Sequence, residues 1–144
     1  MDKNILARAA AVAVMTTAIT LVGITGAHAE KNPPYTIVDG KVDKGTYNGY
    51  RRYASTCHVC HGPDGLGSTF APALVDSLKR LSYDDFVNVV SSGRQSNIGG
   101  VERVMPSWAS NPDVMDYIDD IYGYLKARSD GKLGLGRPTR IGEQ

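Results

Sequence analysis

Two cysteines stand three positions apart in Thr56-Cys57-His58-Val59-Cys60-His61-Gly62, with a histidine directly behind the second. Thiols at this spacing serve as a disulfide, as half of a zinc site, as a redox dithiol or as thioether anchors for a porphyrin. Structural zinc takes four ligands, usually as two pairs separated by a loop. Here Cys57, His58, Cys60 and His61 fall within five consecutive residues and cannot all converge on one tetrahedral ion. A dithiol oxidoreductase places its C-x-x-C at a helix start beside a strand–helix–strand pattern. In this chain a helical pattern precedes the motif and a loop follows it. A plain disulfide suits an exported protein but leaves His61 without a role.

C-x-x-C-H is the attachment signature of c-type haem. One helical turn separates the thiols enough to reach the two vinyl groups, and the next residue aims its imidazole at the iron from the same side. Attachment happens outside the cytoplasm, and the N-terminus agrees independently. Lys3 and Arg8 precede an apolar stretch from Ala9 to Val22, and small residues at Ala27 and Ala29 close it. Those are the parts of a secretory signal. A membrane span needs about 20 apolar residues, and Thr16, Thr17, Thr20 and Gly23 dilute this run. The expectation is a signal peptide over residues 1–29, cleaved after Ala29, and a periplasmic protein. A retained signal would instead make a membrane-tethered protein.

Cleavage simplifies the ligand arithmetic. His28 leaves with the signal, so His58 and His61 are the remaining histidines, and Met105 and Met115 the remaining methionines. His58 is tethered inside the motif and cannot reach the far side of the haem. Met115 falls on an apolar helical stripe, where a core methionine is the simpler reading. Met105 sits in a glycine-rich loop stiffened by Pro106 and suits a distal ligand. With His61 it would fill both axial positions of the iron and raise the reduction potential. A filled site argues for an electron carrier, not an enzyme. Were Met105 not to bind, the vacancy would suit a gas sensor or small peroxidase, revealed by a carbon monoxide shift of the reduced spectrum.

The elements that must position these residues read as follows. Residues 30–43, with Pro33-Pro34, form an extended arm in which Tyr35-Thr36-Ile37-Val38 can add a short strand before an Asp39-Gly40 turn. Asp43 caps a helix running to Thr56, with Gly49, Tyr53 and Cys57 along one face. Gly62 to Pro72 is too rich in breakers for regular structure. Ser82 caps a helix from Tyr83 to Ser91, stopped by Gly93. Arg94 to Ser110 reads as a second loop. Asn111 caps a last helix with Pro112 at its first position, an apolar stripe of Val114, Met115, Ile118, Ile121, Tyr122 and Leu125, and Asp116, Asp119 and Asp120 facing out. The tail over residues 129–144, with four glycines, reads as a surface strap or a disordered segment.

Without Lys3, Arg8 and Asp2 the sixteen basic and fifteen acidic side chains become fourteen of each. No block of like charge stands out, so a nucleic-acid partner, which would want a basic stripe, has no support. A chain this short is marginal on a hydrophobic core alone and gains from a cofactor at its centre.

Over residues 44–128 the chain resembles a class I monohaem cytochrome c. "GYRRYASTCHVCHG" is similar to the first helix and haem site, "APAL" to the proline–leucine segment, "VMPSW" to the methionine loop and "DIYGYLKAR" to the last helix. The resemblance implies an all-α fold in which the N- and C-terminal helices cross around one covalent haem c. Gly49 and Tyr53 would pack on the last helix, with Gly123 permitting a close crossing against Gly49. Pro72 would offer its carbonyl to the other ring nitrogen of His61, fixing the tautomer and strengthening donation to iron. Trp108 and Arg94 are candidates for the haem propionates, through the indole N–H and the guanidinium.

"YASTCHVCHGPDGLGSTFAPALVDSL", "NPDVMDYIDDIYGYLKAR" and the tail's "GRP" also resemble the methanol-metabolism-related cytochromes c of methylotrophic bacteria. That group's pattern includes two further cysteines, and this chain has none beyond Cys57 and Cys60. The narrower resemblance implies a donor, a quinoprotein methanol or alcohol dehydrogenase of the lanthanide-dependent type. It implies a terminal oxidase or second cytochrome as acceptor. Carriers of this size are usually monomers.

Overall fold

The computed structural model describes residues 33–143; the expected signal peptide and the start of the arm lie outside the described residues. Two helices set the frame. Helix α1 (Lys44–Thr56) begins where Asp43 accepts the amide of Thr46 at 3.0 Å and the Thr46 hydroxyl at 2.8 Å. Helix α6 (Ile118–Ser129) crosses it, burying Ile121, Tyr124 and Leu125 against Tyr53. The crossing is tight because Gly49 has no side chain: a Cβ there would stand 1.8 Å from the Asp120 carbonyl oxygen. Tyr124 packs edge-on to Tyr50 and tilted on Tyr53, both with centroids 5.6 Å apart.

Between these helices the chain runs through four shorter helices. Helix α2 (His58–His61) carries the cysteine motif, and a 3-10 turn (Pro63–Gly65) follows it. Helix α3 (Leu74–Ser77) packs on α6. Helix α4 (Tyr83–Ser92) starts with a reciprocal cap between Ser82 and Asp85 and seats Phe86 on Tyr122, centroids 5.3 Å apart. Helix α5 (Pro112–Met115) precedes α6.

The all-α expectation is corrected by two small antiparallel sheets. Strands β1 (Ile37–Val38) and β2 (Lys41–Val42) pair across Asp39 and Gly40, both left-handed at φ 49° and 74°. That is the two-residue hairpin turn that Asp-Gly favours. Strands β3 (Arg94–Ile98) and β4 (Val101–Met105) pair in full register from Arg94↔Met105 to Ile98↔Val101. Gly99 and Gly100, at φ 63° and 82°, make their turn. The flanking residues are mostly polar, so the segment lacks the apolar alternation that marks a strand, and its reading as a loop is corrected.

The last helix is also divided. Tyr117, at φ −123°, separates α5 from α6, and the Asn111 side chain makes no capping bond. Asp120 does not face water: it lies against Gly45 and accepts the Asn48 side-chain amide at 2.7 Å. Gly123 does not face Gly49. A Cβ on it would meet the Pro34 carbonyl at 2.6 Å, so it makes room for the arm.

The tail is an ordered strap. Leu133 and Pro138 are buried, and Arg128 donates to the Leu133 carbonyl at 2.7 Å. The Gly136 amide meets the Asp64 carboxylate at 3.0 Å. Val42 then hydrogen-bonds Thr139 and Ile141, both at 2.8 Å, joining tail to arm. Among the described residues, no helix is long and apolar enough to cross a membrane.

Candidate haem-binding site

Cys57 closes α1 and Cys60 lies on α2, both as free thiols. The backbone holds them one turn apart, with the amides of Cys60 and His61 donating to the Cys57 carbonyl at 3.2 and 2.9 Å. Cys60 is exposed, whereas Cys57 is half-buried and its thiol is pushed up to about 11, chiefly by burial and then by Cys60.

His61 is buried, and its Nδ1 lies 3.0 Å from the Pro72 carbonyl oxygen. A carbonyl only accepts, so Nδ1 carries the proton and Nε2 keeps its lone pair. Burial, opposed by the Pro72 contact, holds the imidazole below its ordinary value, so it is neutral at pH 7. A neutral ring with a free Nε2 is what a metal ligand requires. The Tyr53 hydroxyl, buried in the helix crossing, donates to the Gly62 carbonyl at 2.5 Å and so anchors the residue after His61. The loop then folds back, with the Gly67 amide on the His61 carbonyl at 2.8 Å and the Ser68 hydroxyl on that of Cys60.

Met105 ends β4 and is half-buried against the core. Its strand is pinned to the end of α4. The Trp108 amide donates to Val90 at 3.1 Å and the Ser107 hydroxyl to the Ser91 carbonyl at 2.5 Å. Gly93, at φ 76°, lets the strand pass: a Cβ there would meet the Met105 carbonyl at 2.6 Å. Trp108 is half-buried on the core. Arg94 pairs with Met105 in the register, which puts both side chains on one face of the hairpin, and it is exposed. Met115 packs on the core.

The residues present fit a covalent haem. Two unpaired thiols are set one turn apart, a histidine has the correct tautomer, and a methionine is carried on a separately anchored hairpin. Residues 46–125 match the family described as cytochrome C oxidase, cbb3-type, subunit III. The chain belongs to this family of c-type cytochromes. Its cofactor is accordingly haem c, and its fold is the class I cytochrome c fold with two added hairpins.

Cytochrome c-553I of Paracoccus denitrificans is 50% identical over 113 residues, covering 78% of this chain and 50% of that protein. Cytochrome c-555 of Methylococcus capsulatus (Bath) is 44% identical over 96 residues, covering 66% of this cytochrome and 72% of its relative. Among solved structures, the c-type cytochrome XoxG from Methylobacterium extorquens AM1 is 54% identical with a TM-score of 0.68. That match covers 74% of this chain and 65% of XoxG. The chain therefore spans half of the Paracoccus relative and just under two thirds of XoxG.

Sequence reasoning missed the parts that hold this cytochrome's methionine in place. Ser107 and Gly93 act through the hairpin, and their partners are invisible until α4 and β4 are docked. Arg128 lies in the last turn of α6. In the fold it is buried, its Nε 3.3 Å from the Asp64 carbonyl.

Proposed function

We propose that this cytochrome is a periplasmic one-electron carrier, exported with cleavage after Ala29, that accepts electrons from a quinoprotein methanol or alcohol dehydrogenase. A terminal oxidase or a second cytochrome takes them onward. Cys57 and Cys60 would hold the haem covalently, and His61 and Met105 would hold its iron. Haem supplies the one-electron iron couple, and the chain supplies ligation, burial and access. The observation that carries the reading is the His61–Pro72 contact at 3.0 Å, which orients a neutral imidazole as a permanent ligand. An iron held by both imidazole and thioether would suit electron transfer and not substrate binding. The attachment helix stands at the surface, with Val59 80% exposed, so a donor can approach its edge. The methanol-linked donor is supported by the resemblance in the motif, last-helix and tail segments, together with the 54% identity to XoxG.

Stopped-flow mixing of the oxidised cytochrome with a lanthanide-type methanol dehydrogenase from the same cell, plus methanol, tests the donor. Fast, saturable haem reduction that vanishes without methanol is expected. Slow, non-saturating reduction would assign the electrons to another donor.

A further inference from the structure

The contact that orients His61 is closed into a ring by the backbone. Nδ1 lies 3.0 Å from the Pro72 carbonyl oxygen, and the His61 carbonyl accepts the Gly67 amide at 2.8 Å. Gly67 in turn stands against the peptide that joins Pro72 to Ala73. A Cβ on Gly67 would lie 2.7 Å from the Ala73 nitrogen, 3.1 Å from its Cα and 3.2 Å from the Pro72 carbonyl carbon. A second close approach backs the first: a Cβ on Gly62 would meet the Gly67 carbonyl oxygen at 2.2 Å. Three stretches of main chain thus lie in direct contact, with no side chain between them. Ser68 ties the same turn to the cysteine motif. Its hydroxyl donates to the Cys60 carbonyl and accepts the Phe70 amide at 3.0 Å, while its own amide donates to the Ala71 carbonyl at 2.9 Å.

Two consecutive residues, Gly67 and Ser68, therefore grip two consecutive carbonyls of the motif, those of His61 and Cys60. The same two residues set the turn that delivers the Pro72 carbonyl to the imidazole. A hydrogen bond weakens with length and steeply with misalignment, and the one on Nδ1–H raises the electron donation of the ring through Nε2. We propose that Gly67 and Ser68 form a clamp that fixes the length of the His61–Pro72 hydrogen bond and so tunes the reduction potential of the haem. They are positioning residues, acting through the Pro72 carbonyl. Loosening the clamp weakens donation, disfavours ferric iron and raises the potential. The proposal rests on the reading of His61 as a ligand of the iron and not on the identity of the electron donor, so failure in the methanol dehydrogenase assay would leave it untouched.

The test uses the haem-loaded, reduced, diamagnetic protein labelled with 15N-histidine, with redox titration at fixed pH alongside. In the unaltered protein the His61 ring protons should carry the large ring-current shift of an axial ligand, and Nδ1–H should resonate downfield and exchange slowly. Gly67→Ala drives a Cβ into the Pro72–Ala73 peptide from a backbone at φ 86°. It should move Nδ1–H upfield and speed its exchange. It should also favour reduced haem by about threefold to tenfold, tenfold being 59 mV for a one-electron couple. Ser68→Ala, which introduces no clash, should act in the same direction by a smaller factor, and Ser68→Thr, which keeps the hydroxyl, should restore both readings. Gly123→Ala is the control for lost stability alone. Its Cβ would meet the Pro34 carbonyl at 2.6 Å, in the arm, and should leave Nδ1–H and the potential unchanged. Should Gly67→Ala fail to load haem, the Ser68 pair decides. Nδ1–H and potential unmoved in either clamp variant, or moved equally by Gly123→Ala, would overturn the proposal. A His61 ring without the ring-current shift in the unaltered protein would refute the ligation itself, and the clamp with it, a result distinct from an unmoved variant.

Discussion

The helix crossing at Gly49 offers the sharpest test of how this fold is held. In Gly49→Ala the new Cβ would stand 1.8 Å from the Asp120 carbonyl oxygen, 2.4 Å from its carbon and 3.0 Å from the Ile121 nitrogen. Real Cβ atoms do not come within 3.0 Å of such atoms, so α1 and α6 must separate by more than an ångström. The opposing atoms are backbone and cannot rotate away. Separation loosens the layer of Tyr53, Ile121, Tyr124 and Leu125, each at most 2% exposed. Overpacking of a tight core costs about 1–3 kcal/mol, and rigid opposing atoms place this case at the upper end. Alanine returns up to about 1 kcal/mol through its better helix propensity. The net expectation is a loss of about 2 kcal/mol, or roughly 10 °C in Tm for a domain near 100 residues. Urea unfolding of the haem-loaded protein, followed by far-ultraviolet circular dichroism and haem absorption, should show a lower midpoint at unchanged slope. Gly134→Ala is the control, since a Cβ there meets nothing within 4 Å. If Gly49→Ala matched the wild type within about 0.5 kcal/mol, the close crossing would not be what requires glycine.

Met105→Ala should vacate the distal position, so that the reduced protein binds carbon monoxide and its potential falls; Met115→Ala should leave both properties intact and lose about 1–2 kcal/mol of stability from half-buried packing. Asp64→Ala removes the acceptor of the Gly136 amide and Tyr124 hydroxyl and puts a Cβ-bearing residue without a local polar group at φ 57°. A loss of about 1–2 kcal/mol and faster amide exchange at Gly136 and Leu133 are expected. Burial pushes Tyr53 up to about 12 and raises Tyr124 further, so the folded state favours the neutral phenols. Their contribution is complete below the ordinary tyrosine value near 10 and is lost as pH rises through the folded values. Stability measured by urea should therefore decline from about pH 10 upward, and tyrosinate absorbance should lag that of free tyrosine. Tyr53→Phe should reduce the slope of that decline.

The cysteine motif, its histidine and the caps at Asp43 and Ser82 were all legible in the sequence. Each depends on neighbours within one or two helical turns, so spacing alone carries the signal. The Asp39-Gly40 turn was legible for the same reason. Other features exist only once distant segments meet. Asp120 reads as a solvent residue on a helical wheel, yet the crossing at Gly49 brings it against α1 and gives it Asn48 as a partner. Gly123 makes room for the arm because that is where the arm passes. The tail is ordered by Asp64 and Val42, far from it in sequence. The pairing of Arg94 with Met105 on one face of the β3–β4 hairpin follows from strand register. Composition does not specify register in a segment this polar. The sequence by itself determined the paired thiols and the adjacent histidine that suit attachment of a haem, because that chemistry is set by residue type and short spacing. The tertiary structure alone decided which charges are buried, which glycines are crowded and what holds the methionine strand in place, because those depend on contacts between segments remote along the chain.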